Sequence, residues 1–499
     1  MPAATANLPS ALYRAAQVRE LDRIAIEDLG IPGYTLMGRA GAAAYHLIRA
    51  RWPEARHLTV VCGLGNNAGD GYVVARLAAR AGLEVQVVQI GDAGRLRGDA
   101  LTARRDAEAA GIVPAPFRGE ARFDAGVVVD AVFGTGLDRT VTGEWRDTVL
   151  AINASLCPVL AVDIPSGIAA DTGGVLGVAV RARATVTYIG LKQGLFTGDG
   201  PEHCGDVLFH DLQVPPRVYE TVPAAALRLG AESFAGTLLP RHRAANKGRF
   251  GHVLVVGGDE GYGGAARMAG EAAARCGAGL VSVAMRPASL PACGPRPELM
   301  CRGVTSPAEL DPLLERCSVL AVGPGLGRSD WGRAMLDAVL DTPLPLVVDA
   351  DALNLLAQRP ARREGWVLTP HPGEAGRLLG VTADEVQSDR FAAAASLQER
   401  FGGVVVLKGA GTLVVGAEGP TGVCDRGNPG MASGGMGDIL TGIIAGLVAQ
   451  GLPLRVAADL GVCLHARAAD RAATSGERGL LATDLLGHLR RLVNPGERP

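Results

Sequence analysis

Apolar positions along this chain alternate between two rhythms. Val18, Leu21, Ile24, Ala25 and Leu29 recur at helical spacing, and Gly30, Pro32 and Gly33 end that pattern. A second helix is predicted over 34–51, a short apolar strand over 58–62, a helix over 71–81 and a strand over 84–90. Further strands are predicted near 125–129, 159–162 and 184–189. A proline-marked stretch, 214–249, then separates two halves. Beyond it, strands are predicted at 252–256, 279–284, 319–322, 346–348, 366–368 and 404–407, with mainly helix from 434 onward. Short apolar strands alternating with helices imply an α/β fold with parallel sheets covered on both faces. Ligands then belong at the carboxyl ends of the strands. The halves show no repeat of each other, so the expected division is one domain over 1–222, a connector over 223–245 and a second domain over 246–499.

Composition narrows the function classes. Hydrophobic residues make up 48% of the 499 and charged residues 20%, enough for buried cores and too balanced for long disordered tracts. Lys+Arg is 49 against 51 for Asp+Glu, a net charge of -2, which argues against a dedicated nucleic-acid binder. The 9 cysteines contain no C-x-x-C, so zinc and thioredoxin-like roles have little support, and most are expected to be reduced and buried. The apolar stretch 439–447 is too short to span a bilayer and is interrupted by Gly442 and Gly446, so no membrane partner is expected. Met1 to Ser10 lacks a basic segment followed by an apolar one, and a cytoplasmic protein is the expectation.

The first strand of the N-terminal half runs into Gly63-Leu64-Gly65-Asn66-Asn67-Ala68-Gly69-Asp70-Gly71. Glycines there let backbone approach a ligand, and the following helix start offers N–H groups to a phosphate. By itself the pattern fits a tight structural turn equally well. Two more strand-end loops join it: Asp130-Ala131-Val132-Phe133-Gly134-Thr135-Gly136-Leu137 and Asp163-Ile164-Pro165-Ser166-Gly167. Asn67, Asp130 and Ser166 would supply oxygen ligands to a hard cation, and a single carboxylate suits K+ better than Mg2+. Taken alone, Asp130 or Asp163 is better explained as a helix cap.

These pieces, with 17–22 and 36–41, resemble the NAD(P)H-hydrate epimerase domain over about residues 14–219. The resemblance implies a Rossmann-like αβα domain that binds K+ through Asn67, Asp130 and Ser166. It implies that Asn66, Asn67, Ala68, Gly69, Asp70, Gly134, Thr135, Gly136, Leu137, Asp138, Arg139, Thr140 and Asp163 contact the hydrated coenzyme. Ala68 stands where the family commonly has glycine, and Gly38 where it has a larger residue. The substrate's C6 hydroxyl sits beside the ring nitrogen, so the stereocentre is lost by ring opening or by nitrogen-assisted departure of the hydroxyl. Either route needs proton transfer at C6. Asp163 is the first candidate for it and Lys192 the second, an exposed lysine being the plain alternative for the latter.

The C-terminal half has no Walker-type G-x-x-x-x-G-K-[ST]. It has glycine-rich pieces at 257–266, 323–327, 408–412 and 430–438. The last opens a helix, which makes an anion hole, and Asp438 falls in its first turn. Asp438 there is either a favourable helix-start charge or a base that takes a hydroxyl proton in phosphoryl transfer.

These pieces, with 246–251, 349–354 and 369–374, resemble the ADP/ATP-dependent NAD(P)H-hydrate dehydratases, a ribokinase-like branch, over about residues 240–493. Asn246 replaces a common histidine. The resemblance implies nucleotide contacts from Lys408, Gly409, Ala410, Gly411, Thr412 and Gly437. It implies hydrate contacts from Ala265, Gly325, His371 and Asp438. His371 alone would more often be a structural histidine, and Glu374 is placed to reach a metal-bound phosphate but is nearly as well explained as a cap. Asp351 and Asn354 are expected to organise the same rim. The implied reaction phosphorylates the C6 hydroxyl and then expels phosphate, with Asp438 as base, Mg2+ on the nucleotide phosphates and ADP as donor. Together the halves would repair NADHX and NADPHX, as a homo-oligomer. The rival readings are a vitamin or sugar kinase with a regulatory N-terminal half, and an N-terminal half that only binds a nucleotide or protein.

Overall fold

The computed structural model describes residues 8–494 except 118–122, 124, 231–233, 235 and 295. The first seven residues, inside the segment read for a leader, and parts of the expected connector lie outside the described residues. The chain divides between Leu227 and Arg228 into two compact units. That point falls within the 223–245 stretch expected to connect the halves.

The first unit is built on strands β1 (His57–Cys62), β2 (Glu84–Gln89), β3 (Ala115–Pro116), β4 (Val127–Ala131), β5 (Val159–Val162), β6 (Ala184–Tyr188) and β7 (Asp206–His210). They form a seven-stranded sheet in the order β3-β2-β1-β4-β5-β6-β7, every pair parallel. Val60, Val61, Val127, Val128 and Val129 are fully buried, as strands covered on both faces require. Each such valine contributes roughly 1.5–3 kcal/mol relative to exposure. The order reverses at β1, whose neighbours are β2 and β4. This is the switch point at which the chain leaves a crevice beyond the carboxyl ends.

Three expectations shift here. The helix after β1 spans Asn66–Arg80, so Asn66 to Asp70 form its first turn rather than a loop. Gly65 caps it in extended backbone, which lets the helix start five residues earlier than predicted. The strand read at 125–129 is Val127–Ala131, which puts Asp130 within the strand. The first helical pattern ends as an α-helix at Arg23 and continues as a wider π turn over Ile24–Asp28.

The second unit contains β8 (His252–Val256), β9 (Leu280–Met285), β10 (Met300–Gly303), β11 (Val319–Val322), β12 (Leu346–Val348), β13 (Trp366–Leu368), β14 (Val404–Leu407), β15 (Thr412–Val415) and β16 (Thr421–Cys424). They run in the order β10-β9-β8-β11-β12-β13-β14-β15-β16. The pairs from β10 to β14 are parallel, and β15 and β16 continue antiparallel. The reversal falls between β8 and β11, and the long helices Met436–Ala449, Leu454–Ala472 and Ala482–Leu492 fulfil the helical expectation for the last third. Cys293 and Cys301 are joined in a disulfide that the cysteine spacing did not announce, while the other seven cysteines are free. No helix among the described residues is long and apolar enough to cross a membrane.

Candidate active sites

At the rim of the first sheet, Asp163 follows β5 with φ +72°. A non-glycine residue holds that conformation only when its surroundings compensate for the strain. Here its Oδ2 accepts from the Thr135 N–H at 2.9 Å and the Thr135 hydroxyl at 2.6 Å, and its Oδ1 pairs with Lys192 Nζ. Lys192 is 1% exposed and also donates to Thr187 Oγ1 and to the Tyr188 carbonyl. The exposed-lysine alternative is thereby removed. Burial works to raise the Asp163 pKa, but the Lys192 charge and the Lys192 and Thr135 hydrogen bonds outweigh it and leave it below the usual range.

Asp70 and Asp22 face the same pair and shift the opposite way. Desolvation, Asp163 and Asp22 push the Asp70 carboxyl well above its ordinary value against the pull of Lys192. Asp22 is raised to about 6, chiefly by burial. The Tyr188 hydroxyl is buried there without a hydrogen-bond partner. Asp22 and Tyr188 were not singled out as site residues. Asp22 lies in the 17–22 segment that carries the resemblance, but on a helix remote in sequence from the strand-end loops, and Tyr188 looks like ordinary strand filling.

Beside this pair lies an oxygen-rich niche. Asp130 Oδ1 and Oδ2 accept from the Ser166 hydroxyl at 2.6 Å and the Ser166 N–H at 2.8 Å. Desolvation raises the Asp130 pKa to about 6, with the Ser166 bonds opposing. Asn67 Nδ2 donates to the Phe133 carbonyl at 3.0 Å, while its Oδ1 is buried and unpartnered. Among the described residues Asp130 lies inside a strand and the helical segments that follow Asp130 and Asp163 are capped by Thr142 and Lys192, so the capping alternative fails for both. A Cβ added at Gly134 would lie 3.0 Å from Asp163 Oδ2 and 3.4 Å from the Asn67 side chain, so the three strand-end segments do converge.

The convergence is not complete. Ala68 is fully buried, and Gly69 backs onto Met37, where a Cβ would lie 2.5 Å from the Met37 side chain. Asn66, Gly136, Asp138, Arg139 and Thr140 are exposed, and Leu137 packs with the Val132 cluster. None of these shares a described hydrogen bond with Asp163 or Lys192.

In the second unit, Asp349 at the end of β12 is 1% exposed. Its Oδ1 pairs with Lys408 Nζ at 2.6 Å and its Oδ2 accepts from the Thr441 hydroxyl at 2.8 Å. Burial opposes the charge, but Lys408 and these hydrogen bonds hold the Asp349 pKa below the usual range. A Cβ at Gly437 would sit 3.2 Å from both Asp349 Oδ2 and Lys408 Nζ, which accounts for glycine where the helix start meets this pair. Asp438 follows in the first helical turn. Burial and the Asp349 charge push it up to about 7, with Lys408 opposing.

His371 is the N-cap of the helix Pro372–Leu379. Its Nδ1 accepts from the Gly373 and Glu374 N–H groups, and Glu374 Oε2 accepts from the His371 N–H at 2.8 Å. The structural role therefore holds for both residues. The His371 side chain remains half-exposed, and with Nδ1 engaged as acceptor its neutral form carries the proton on Nε2, which lies 3.4 Å from Glu374 Oε1. Glu374 also lies 3.8 Å from Lys408, and burial raises its pKa to about 7. Asp351 and Asn354 do organise the rim: Asp351 Oδ2 accepts from the Gly327 N–H at 3.0 Å, and Asn354 Oδ1 accepts from Arg377 at 2.7 Å. Gly325 and Ala265 are adjacent, a Cβ on the first lying 3.2 Å from that of the second.

The loop 408–411 is held from beneath by Arg390, which is fully buried and donates to the carbonyls of Leu407, Lys408 and Gly411 at 3.2–3.5 Å. An arginine at the first position of an alanine-rich helix carries no motif, so this support is not legible in the sequence.

Comparison with known proteins gives a family match within each half of the chain. Residues 253–491 match the NAD(P)H-hydrate dehydratase family, and residues 33–194 match the family of YjeF-related protein N-termini. The chain is 52% identical to a bifunctional NAD(P)H-hydrate repair enzyme of Coxiella burnetii, over 97% of this chain and 99% of that one. It is 43% identical to the enzyme of the same name from Escherichia coli, over 98% and 95%. Among solved structures, a ribokinase-like superfamily protein of Enterococcus faecalis is 31% identical with a TM-score of 0.50, covering 53% of this chain and 94% of that one.

Proposed function

Because the chain belongs to the bifunctional NAD(P)H-hydrate repair enzymes, epimerase in its N-terminal half and dehydratase in its C-terminal half, we propose the following residue roles at the two rims. The observation that carries them is a lysine–aspartate pair with one partner fully buried at the carboxyl rim of the parallel strands of each sheet: Lys192 with Asp163, and Lys408 with Asp349.

In the N-terminal site the hydrated ring lies against the first turn of Asn66–Arg80 and the Gly134–Thr135 backbone. Asp163, held ionised, takes the proton that must leave the C6 hydroxyl when the ring opens. Asp70, held protonated, and Lys192 stand as donors for the route in which the hydroxyl departs. Carboxyl groups driven apart in pKa within one site divide base from acid. When the ring opens, the C6–N1 bond breaks, N1 takes up a proton, and re-attack of N1 on either face of the C6 aldehyde gives either epimer; when the hydroxyl instead leaves as water, its return to either face of the planar iminium does the same. The unpartnered Asn67 Oδ1, the Asp130 carboxylate and the Ser166 hydroxyl fit a weakly hydrated monovalent cation, and K+ bound there would supply a fixed charge for an anionic substrate.

In the C-terminal site the loop 408–412 and the helix start at Gly437 receive the nucleotide, and Asp438 takes the C6 hydroxyl proton as the terminal phosphoryl of ADP is transferred. Phosphate then leaves with electron push from N1 to give the N1=C6 iminium, and loss of a C5 proton, for which the departing phosphate is an acceptor, forms the C5–C6 double bond of NAD(P)H, leaving AMP and phosphate. The buried Glu374 beside Lys408 suits a cation carried on nucleotide phosphates, and Mg2+ there would offset their charge. Lys408 and His371 supply donors from the protein. ADP rather than ATP, a cytoplasmic setting and a homo-oligomer belong to the same proposal.

The discriminating experiment incubates the S hydrate with ADP and Mg2+ and follows both reduced-nicotinamide absorbance and phosphorylated products. Formation of NADH with equimolar AMP and phosphate is expected. A stable phosphorylated product without NADH would restore the small-molecule kinase reading. Replacing K+ by a bulky organic cation is expected to slow epimerisation and leave dehydration unchanged.

A further inference from the structure

The turn between β8 and the helix Gly263–Cys276 presents Tyr262 with 63% of its surface exposed. It is the one aromatic among the large apolar side chains that the described residues leave exposed. Its ring has no described ring or cation partner, yet its backbone is fixed. The Tyr262 N–H donates to the Asp259 carbonyl at 2.9 Å, and its own carbonyl accepts from Ala265 at 3.2 Å. The Asp259 N–H donates to the Gly325 carbonyl at 2.7 Å, and the Asp259 carboxylate accepts from Ser329 Oγ at 2.6 Å and Arg286 Nε at 3.0 Å. Gly325, at φ +60°, passes so close that a Cβ there would stand 2.5 Å from the Tyr262 carbonyl oxygen and 2.8 Å from its Cβ. An exposed aromatic ring on so constrained a root loses little freedom when a planar group covers it.

We propose that Tyr262 is the stacking wall that seats the hydrated nicotinamide ring in the dehydratase site. This rests on the assignment of Ala265 and Gly325 to that ring. In the hydrate, N1, the C2–C3 double bond and the carboxamide form one flat conjugated unit, while C6 is tetrahedral. The flat unit is the part an aromatic face can cover. The S and R hydrates differ only in the ring face that carries the C6 hydroxyl. A wall against one face leaves the other to the phosphoryl donor and so discriminates between them.

The test measures KM for the S hydrate of NADH and for ADP with the full chain, as wild type, Tyr262→Ala and Tyr262→Phe. The alanine variant is expected to raise KM for the hydrate about tenfold, a loss of about 1.4 kcal/mol, and to leave KM for ADP unchanged. The phenylalanine variant is expected to restore the wild-type value. An unchanged hydrate KM in Tyr262→Ala would overturn the proposal, as would a parallel rise in both constants or failure of phenylalanine to rescue. Wild-type formation of NADH in the same assay tests the underlying activity separately.

Discussion

Asp163 sits in a left-handed conformation and is fastened by Thr135 and Lys192, so its position does not depend on substrate. Asp163→Asn keeps the size and most hydrogen bonds but removes the base. Interconversion of R and S hydrates, followed by chromatography of the separated epimers, is expected to fall by at least about a hundredfold, the scale of general-base catalysis. Retention of wild-type interconversion would eliminate Asp163. Asp438 gives a second test at this scale. Its pKa is raised to about 7, so the basic form is lost as pH falls through neutrality. Dehydration under saturating ADP is expected to decline below about pH 7, approaching a tenfold loss per pH unit in the acid limb, because the reaction needs the ionised carboxylate. A rate flat from pH 5 to pH 8 would exclude Asp438 as base. These two aspartates were legible because each stood at the end of an apolar strand or the start of a glycine-led helix. Asp349, quoted only as part of a motif, acquires its importance from Lys408, 59 residues away, and Thr441, 92 residues away. Partners at such separations leave no local pattern.

At the scale of elements, the strands expected from the sequence fall within two residues of those observed because short apolar runs leave little choice of period, whereas Ala115–Pro116 and Met300–Gly303 carry no such run, and Asp206–His210 is also not among those expected. The helix Asn66–Arg80 was read short because asparagine, glycine and aspartate favour turns, whereas Gly65 and the packing of Ala68, Gly69 and Gly71 carry the helix back to Asn66. This changes the meaning of Ala68. Its backbone is helical, so alanine needs no special conformation there and stabilises the first turn. Ala68→Gly is expected to lower unfolding free energy by about 1 kcal/mol, measured by denaturant titration, without loss of epimerisation. An increase in stability would mean that the methyl group strains the turn. The antiparallel strands Thr412–Val415 and Thr421–Cys424 are not expected from the sequence because each is four residues long and is set among Gly409, Gly411, Gly416, Gly419 and Gly422. The pairing of Leu407 with Leu413 shows that the glycine-rich loop 408–411 is the turn of a hairpin. Arg390, raised as it is into the core with a pKa lowered to about 10 by burial, ties that turn to the helix Arg390–Phe401.

For the whole molecule, two units of α/β architecture use the same device in different hands. Each places glycine-rich turns at the reversal of strand order and a lysine–aspartate pair with one partner fully buried on the adjacent rim. Fusion of the two activities has a chemical logic: a dehydratase that accepts one hand of the hydrate leaves the other to accumulate unless it is interconverted. The most direct test supplies a mixture of R and S hydrates with ADP, Mg2+ and K+ to the full chain and follows both epimers to completion. The account predicts that both disappear with matching formation of reduced coenzyme, and that Asp163→Asn stops with the R hydrate left over. Consumption of only the S hydrate by the wild-type chain would contradict it.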